Sequence, residues 1–331
     1  MTHDVPTIQD IREAAGRIAS HAVRTPLVTS PVLDALTGAR VFLKAENLQR
    51  TGSFKFRGAF HAVSMLDDAL RQHGVVACSS GNHAQGVADA AAILGLPATI
   101  VMPKDAPDMK KVRTKRLGAT VVEYDRYTED REQITQAIAE RTGAALIHPY
   151  ETIDVLAGQG TAGLEAAADL DAANISLDRA LICAGGGGLM AGMLLALRDT
   201  YPDIAVHPVE PDGHDDQRRS HAMGKRLGGN NGGASVCDAI VTPMPGALSF
   251  SICQGQVAEG LTVTDEEALA AVAFAWRELK LVVEPGGAVA LAALLSHKVD
   301  VRGETVLATL SGGNIDPEMM VRALATAKPA T

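Results

Sequence analysis

The sequence predicts an α/β protein built on two open parallel sheets, each covered by helices on both faces. Short apolar strands alternate with helices of about ten to fifteen residues between Val75 and His148, which is the pattern of βαβ units. A similar alternation resumes near residue 154 and continues to Leu310. The composition, 47% hydrophobic and 21% charged, suits a soluble protein with a large core.

The first α/β series is the more regular of the two. Its strands are predicted over 75–78, 98–102, 120–124 and 145–147, and its helices over 84–94, 105–117 and 128–141. Short strands that alternate with helices form parallel sheets with both faces buried. This series is long enough to form a compact unit of its own.

The second series follows the first along the chain, and other elements come before the first. A helix that starts near Thr7, a strand over 41–43 and a helix over 58–72 precede it. The elements that follow are helices over 154–170, 189–199, 265–279 and 287–297 and strands over 181–184, 204–209 and 305–310. The polar, glycine-rich stretch 214–245 is predicted as a loop with short helices. Because open parallel sheets bind ligands beyond the carboxyl ends of their strands, we expect a cleft there.

Charge and cysteine content exclude several classes of protein. Lys and Arg number 30 against 39 Asp and Glu, a net charge of -9, which disfavours nucleic-acid binding. No signal segment or membrane span is apparent, so we expect a cytoplasmic protein. The four cysteines, Cys78, Cys183, Cys237 and Cys253, are widely separated, which predicts reduced thiols without a disulfide or metal.

Lys55 is the first candidate for chemistry. It lies between Phe54 and Phe56, just after a predicted strand and beside a small-residue turn. A lysine amine removed from water has a lowered pKa and can attack carbonyl groups. Most lysines are solvated surface charges, so this stretch alone leaves both interpretations open.

A run of four glycines marks a second candidate, a phosphate site. Gly185, Gly186, Gly187 and Gly188 follow a predicted strand and precede a helix, so backbone N–H groups and the helix dipole can hold an anion. The same run matches the G-x-G-x-x-A pattern of dinucleotide-binding folds, with Glu210 ending the next strand. A nicotinamide-dependent oxidoreductase is therefore an alternative that the glycines alone do not exclude.

Three further motifs also follow predicted strands or open predicted helices. The run Ser79–His83 offers hydroxyls, an amide and helix-start N–H groups to a carboxylate, or simply caps the helix. Ser311 can meet a ring nitrogen or cap a tight turn, and Glu284 opens a Glu-Pro-Gly-Gly run. The carboxylates of Glu210 and Asp216, with a carbonyl between them, suit a hard divalent cation or form a solvated acidic loop.

In this order, the motifs SFKFRGA, SSGNH, GGGGL, VEP and SGGN resemble those of the fold-type-II pyridoxal-phosphate enzymes, in particular the threonine/serine dehydratase and serine racemase family. The resemblance runs from about Thr7 to Asp316. It implies a tryptophan synthase β-like fold, with a large cofactor-binding domain over 1–73 and 149–331 and a small substrate-closing domain over 74–148. Only about fifteen residues follow Asp316, so no C-terminal regulatory domain is expected.

The resemblance also implies roles for the motif residues. Lys55 would bind pyridoxal 5'-phosphate as a Schiff base and move the substrate Cα proton, and Ser80 would be a second acid/base group. The implied cofactor contacts are Phe54, Asn82, Gly185, Gly186, Gly187, Gly188, Leu189, Glu284 and Ser311. The implied substrate contacts are Ser79, Ser80, Asn82, His83, Arg131 and His148. Mg²⁺ or Ca²⁺ would bind Glu210, Asp216 and the backbone carbonyl of His214.

The activity implied by the resemblance is β-elimination from a small β-hydroxy amino acid. We expect an ammonia-lyase that converts L-threonine or L-serine to 2-oxobutyrate or pyruvate and ammonia, in a homodimer that binds neither nucleic acid nor membrane. The alternatives are a threo-3-hydroxyaspartate ammonia-lyase and a serine racemase, because Arg131 suits a second substrate carboxylate and His148 departs from the Pro-Pro-Tyr run of threonine dehydratases. A catalytically silent amino-acid-binding module is a further alternative.

Overall fold

The computed structural model describes residues 5–79, 81–106, 108–229 and 232–326. In these residues the strands form two sheets. The strands in chain order are β1 (Leu27–Val28), β2 (Arg40–Ala45), β3 (Val75–Cys78), β4 (Ala98–Pro103), β5 (Thr120–Tyr124), β6 (Ala145–Leu146), β7 (Arg179–Cys183), β8 (Ala205–Pro211), β9 (Leu261–Val263) and β10 (Thr305–Leu310). The larger sheet has the order β1-β2-β10-β7-β8-β9 and the smaller has the order β5-β4-β3-β6.

The helices cover both faces of each sheet. In chain order they are α1 (Ile8–Ile18), α2 (Pro31–Thr37), α3 (Lys55–Ser64), α4 (Asp68–Arg71), α5 (Asn82–Leu94), α6 (Asp108–Arg116), α7 (Arg131–Thr142), α8 (Ile153–Ala172), α9 (Gly188–Thr200), α10 (Asp216–Met223), α11 (Ala247–Cys253), α12 (Asp265–Phe274), α13 (Pro285–Leu295) and α14 (Pro317–Thr326). A π-helical turn, Ala275–Leu279, extends α12.

The pairing confirms the predicted parallel sheets, with one addition. Every described pairing in the two sheets is parallel except β1 with β2, which is antiparallel. The strand β1 was not predicted, because two residues are too few to show an alternating pattern. The strands of the smaller sheet all lie between residues 75 and 146, and the exact domain boundaries stay a prediction.

Alternating side chains place two cores on opposite faces of the larger sheet. Val41 and Leu43 of β2 belong to the core under α12 and α13, whereas Phe42 between them joins the core under α8 and α9. Side chains at successive strand positions point to opposite faces, so a strand of this composition needs helices on both sides. This arrangement leaves the strand ends as the exposed edge where ligands can bind.

The predicted helix over 58–72 is wrong in its extent. The structure has two helices there, α3 and α4, and α3 begins at Lys55 itself. The predicted single helix is interrupted at Asp67. The Asp67 side chain accepts a hydrogen bond from the Leu70 N–H at 2.8 Å and so starts a new helix, α4, as its N-cap. The stretch 214–245, predicted as a loop with short helices, contains α10.

No helix in the described parts of the chain is long and apolar enough to cross a membrane. Cys183, Cys237 and Cys253 are buried and Cys78 is half-buried, and their reduced state stays a prediction. The homodimer and the cytoplasmic location stay predictions.

Candidate active site

A cavity of about 730 Å³ opens at the carboxyl ends of strands from both sheets. The segments after β3, β7 and β10 line it, together with Lys55. These are the segments that carry Ser79, Gly185–Gly188 and Ser311, which lie more than 100 residues apart in sequence. The structure therefore brings together most of the residues that the motifs singled out.

Lys55 is the first residue of α3 and faces this cavity. Its amine donates a hydrogen bond to the Pro149 carbonyl at 3.1 Å and lies 5.1 Å from the centre of the Phe54 ring. Burial lowers the pKa of Lys55 to about 8, since a charged amine loses hydration there. An amine with this pKa is partly neutral near physiological pH and can act as a nucleophile or a base.

Close helix packing fixes the position of α3. A Cβ atom on Gly158 of α8 would lie 2.6 Å from the Cα atom of Gly58, so only glycine lets the two backbones cross this closely. The residue before Gly58, Arg57, is fully buried and donates hydrogen bonds to Glu46 and Glu165 at 2.7–2.8 Å. Lys44, also fully buried, donates to Glu165 at 2.7 Å. We call Arg57, Lys44, Glu46 and Glu165 the buried charge cluster.

The glycine loop has the geometry of an anion cradle. Gly187 has a φ angle of +92°, a conformation that glycine adopts readily, and α9 begins at the next residue. A Cβ atom on Gly186 would lie 2.5 Å from the Tyr150 ring, so a side chain there would collide with the wall of the loop. The N-terminus of α9 supplies free N–H groups and positive dipole charge. Leu189 also lines the cavity, and the loop fits the phosphate of a cofactor.

Asn82 and Glu284 form a hydrogen-bonded pair on the cavity wall. The Asn82 side-chain N–H donates to Glu284 Oε1 at 2.6 Å, and Asn314 donates to Asn82 Oδ1 at 2.7 Å. Burial raises the pKa of Glu284 to about 7, although the hydrogen bond from Asn82 acts in the opposite direction. The pair presents polar atoms whose orientation is fixed before any ligand binds.

Ser311 is buried at the end of β10 and is tied to the lysine segment. Its carbonyl accepts a hydrogen bond from the Phe54 N–H, and its own N–H donates to the Gly287 carbonyl, each at 3.1 Å. Its side chain lines the same cavity as Lys55. A hydroxyl at this position is a neutral partner for a ring nitrogen.

The segment after β3 carries three of the predicted substrate contacts, Ser79, Ser80 and His83. Ser80 lies outside the described residues. Ser79 accepts a hydrogen bond from the Gly81 N–H at 3.1 Å and lines the cavity. His83 also lines it, but its Nε2 is engaged with the Ile147 carbonyl at 2.9 Å. Burial, with the nearby Lys55 charge, lowers the pKa of His83 to about 3, so this ring is neutral and anchors the loop to the segment after β6.

Arg131, at the start of α7, and His148, after β6, line the same cavity, and we call these two residues its outer wall. Arg131 is exposed and opens α7, and the described residues contain no salt bridge to it. The neighbouring Asp130 instead accepts hydrogen bonds from the N–H groups of Glu132 and Gln133 and so caps the helix. Burial lowers the pKa of His148 to about 4, with contributions from Lys55 and Arg131. The Arg131 side chain hydrogen-bonds Tyr124 but has no carboxylate partner among the described residues, so its charge is available to an anionic ligand in the cavity.

The predicted cation ligands lie outside this cavity. Glu210 is buried, and its two oxygens accept the N–H groups of Gln217 at 2.8 Å and Arg218 at 2.9 Å. Burial and the adjacent Asp216 raise the pKa of Glu210. Asp216 Oδ1 is buried without a hydrogen-bond partner among the described residues. No group of three His, Cys, Asp or Glu side chains suited to a metal occurs in the described residues, and the predicted set, two carboxylates and the His214 carbonyl, stays a prediction.

Comparison with known proteins agrees with this geometry. The profile of a family described as "Pyridoxal-phosphate dependent enzyme" matches residues 18–312. The chain is 49% identical to an L-threo-3-hydroxyaspartate ammonia-lyase of Pseudomonas sp, over 93% of this chain and 95% of that protein. It is 41% identical to a serine racemase of Schizosaccharomyces pombe, over 95% and 96%. The crystal structure of a threonine deaminase from T.th. superposes with a TM-score of 0.89 at 43% identity, covering 94% and 99% of the two chains.

Proposed function

The chain belongs to the family of pyridoxal-phosphate dependent enzymes, within which it is an ammonia-lyase, and we propose that its principal substrate is L-threo-3-hydroxyaspartate. The sequence alone favours threonine or serine, with 3-hydroxyaspartate as the alternative, and we now place 3-hydroxyaspartate first. The observation that carries it is Arg131, a cavity-lining guanidinium that has no salt bridge within the described residues.

A second carboxylate is the substrate feature that Arg131 would recognise. Guanidinium groups bind carboxylates with two parallel hydrogen bonds, and 3-hydroxyaspartate carries a carboxylate where threonine carries a methyl group. The 49% identity to an L-threo-3-hydroxyaspartate ammonia-lyase supports the same substrate. L-threonine and L-serine remain the second candidate, which the 43% identity to a threonine deaminase supports.

Family membership favours pyridoxal phosphate over a nicotinamide cofactor as the ligand of the glycine loop. The Gly-x-Gly-x-x-Ala spacing alone fits nicotinamide as well, but the family profile and the relatives identify pyridoxal phosphate as the cofactor. We propose that Gly185–Gly188 hold its phosphate, that Ser311 meets its ring nitrogen and that Asn82 meets its ring hydroxyl. The cofactor, when bound, delocalises the electron pair left at the substrate Cα atom.

Lys55 and the pair Arg131 and His148 act on different parts of the substrate. Lys55, as a neutral amine, takes the proton from Cα, and the bond between Cβ and the hydroxyl breaks. The departing hydroxide takes up a proton, which protonated Lys55 returns overall, so that water is released. Arg131 and neutral His148 hold the side-chain carboxylate and so fix the orientation of the Cα–H bond. The released enamine hydrolyses to a 2-oxo acid and ammonia, which is oxaloacetate for 3-hydroxyaspartate.

A substrate panel on one enzyme preparation tests the proposal. We expect kcat/KM for oxaloacetate formation from L-threo-3-hydroxyaspartate to exceed that for 2-oxobutyrate or pyruvate formation from threonine or serine by at least about tenfold, as one charge-assisted contact predicts. Equal or faster turnover of threonine would restore the second candidate. D-serine production that outpaces every elimination would instead identify a racemase, and no turnover of any substrate would identify a binding module.

We also propose that Mg²⁺ or Ca²⁺ binds at Glu210, Asp216 and the His214 carbonyl. Support comes from the buried Asp216 Oδ1 atom, which lacks a partner in the described structure. A cation whose free concentration is about 100 times its dissociation constant raises the free energy of unfolding by about 2.7 kcal/mol. Millimolar Mg²⁺ should therefore raise the midpoint of thermal unfolding. Asp216→Asn should abolish that rise, while Asp212→Asn, an exposed acid in the same loop, should keep it.

A further inference from the structure

The carbonyl groups of the glycine loop are held from outside the cavity. The Gly185 carbonyl accepts a hydrogen bond from Gln217 Nε2 at 2.6 Å. The Gly186 carbonyl accepts one from Ser249 Oγ at 2.7 Å and one from the Gly246 N–H at 3.0 Å. A loop that binds an anion must turn its N–H groups toward the ligand and its carbonyls away, because a carbonyl oxygen repels a phosphate.

Gln217 and Ser249 also form the surface beneath the loop. Both side chains are fully buried. A Cβ atom on Gly187 would lie 2.7 Å from Gln217 Nε2 and 2.7 Å from Ser249 Oγ. The two polar atoms therefore lie against the one loop residue whose backbone takes the left-handed conformation.

Only one of the two polar atoms of the buried Gln217 amide has a hydrogen-bond partner in the described residues. Its Nε2 has the Gly185 carbonyl, whereas its Oε1 has no partner in the described residues. A buried acceptor without a partner costs free energy, so the contact with Gly185 is the interaction that favours glutamine at this position.

The position of Gln217 is itself fixed by a carboxylate. Gln217 lies in the first turn of α10, where the N-cap residue Asp215 makes no side-chain capping hydrogen bond. Glu210 takes over that role, because its oxygens accept the N–H groups of Gln217 and Arg218. The contacts thus run from the end of β8 through α10 to the glycine loop.

We propose that Gln217 and Ser249 are positioning residues that keep the carbonyls of Gly185 and Gly186 turned away from the phosphate site. They do not touch the cofactor; they orient the backbone that does. The proposal rests on the proposed function, in which Gly185–Gly188 hold the cofactor phosphate.

The test compares pyridoxal phosphate with pyridoxal, which has the same ring and aldehyde but no phosphate. Apo-enzyme is titrated with each compound, and binding is followed by absorbance. We expect Gln217→Met to weaken pyridoxal phosphate binding by about tenfold, the effect of one lost buried hydrogen bond, and to change pyridoxal binding by less than about twofold. Ser249→Ala should weaken pyridoxal phosphate binding by about threefold, since the Gly246 N–H still holds the Gly186 carbonyl.

A matched control comes from another glutamine with the same kind of contact. Gln254 Nε2 donates to the Gly224 carbonyl at 2.9 Å at an exposed site beyond α11. Gln254→Met should leave the affinities for both compounds unchanged. The ³¹P chemical shift of the bound cofactor gives a second reading, which Gln217→Met should move and Gln254→Met should not.

The outcomes separate this inference from the proposed function. If wild-type enzyme binds pyridoxal as tightly as pyridoxal phosphate, the phosphate site itself is wrong. Wild-type enzyme is expected to bind pyridoxal phosphate more tightly than pyridoxal. If the variants keep the wild-type ratio of these two affinities, either because neither affinity falls or because both fall equally, the positioning role is wrong. Should Gln217→Met fail to fold, the ratio measured for Ser249→Ala decides alone.

Discussion

The two walls of the cavity are built differently. The cofactor wall, made of Lys55, Gly185–Gly188 and Ser311, is bonded to its surroundings by the Pro149, Gly287 and Gln217 contacts. The outer wall, made of Arg131 and His148, presents an exposed guanidinium to which the described residues offer no salt bridge. A fixed wall suits chemistry that must be repeated identically, whereas an uncompensated cation suits recognition of a substrate charge.

Replacement of Lys55 should have the largest effect, because it removes the amine that we propose reacts with the cofactor and the substrate. Lys55→Ala should lower the rate of ammonia release by at least about a thousandfold, the scale of a lost acid/base group. The visible absorbance of the covalently attached cofactor should also disappear.

Lys298→Ala provides the control for that experiment. Lys298 pairs with Glu267 at 2.8 Å at the surface, and its loss should leave turnover and absorbance unchanged. Full activity in Lys55→Ala would show that the cofactor wall has been assigned to the wrong residue.

The next largest effect concerns the scaffold behind the cofactor wall. Arg57→Leu leaves the carboxylates of Glu46 and Glu165 with one buried cation, Lys44, instead of two. We expect the free energy of unfolding to fall by about 3–5 kcal/mol, measured by urea denaturation of the apo-protein.

An exposed ion pair serves as the comparison for the buried charge cluster. Arg302 and Asp300 pair at 2.7 Å with side chains 78% and 65% exposed. Arg302→Leu should change stability by less than about 1 kcal/mol. Similar losses for Arg57→Leu and Arg302→Leu would mean that the cluster does not support the cofactor wall.

A smaller effect is the pH dependence of cofactor attachment, which tests the lowered pKa of Lys55. Only the neutral amine attacks the cofactor aldehyde, and burial lowers the pKa of Lys55 to about 8. The rate of cofactor attachment to apo-enzyme should rise about tenfold per pH unit below pH 8 and level off above it, since the neutral fraction is then nearly complete. A rate that keeps rising to pH 10 would indicate a lysine with its usual pKa.

The sequence predicted the cofactor wall better than its supports. Short contiguous motifs at strand ends signalled Lys55, Gly185–Gly188 and Ser311, because each motif combines special residue types with a strand-to-helix junction. Gln217 and Ser249 gave no such signal, since their contacts with the glycine loop span 32 and 63 residues.

Buried charges were equally hidden from sequence reasoning. Arg57, Glu46 and Lys44 are of types that are almost always exposed, and only the folded chain shows that they neutralise one another. Arg131 was identified as a candidate carboxylate contact, but the sequence left open whether a neighbouring acid pairs with it. The structure answers that question through Asp130, which caps α7 instead.

The most direct test of the division between the walls is the substrate preference of Arg131→Ala. We predict that kcat/KM for L-threo-3-hydroxyaspartate falls by about 100-fold, while the value for L-threonine stays within about threefold, because only the first substrate loses a charge-assisted contact. Arg126→Ala, which removes a nearby surface cation paired with Asp105, should change neither value. Equal losses for both substrates in Arg131→Ala would contradict the account, since the outer wall would then serve the reaction rather than the choice of substrate.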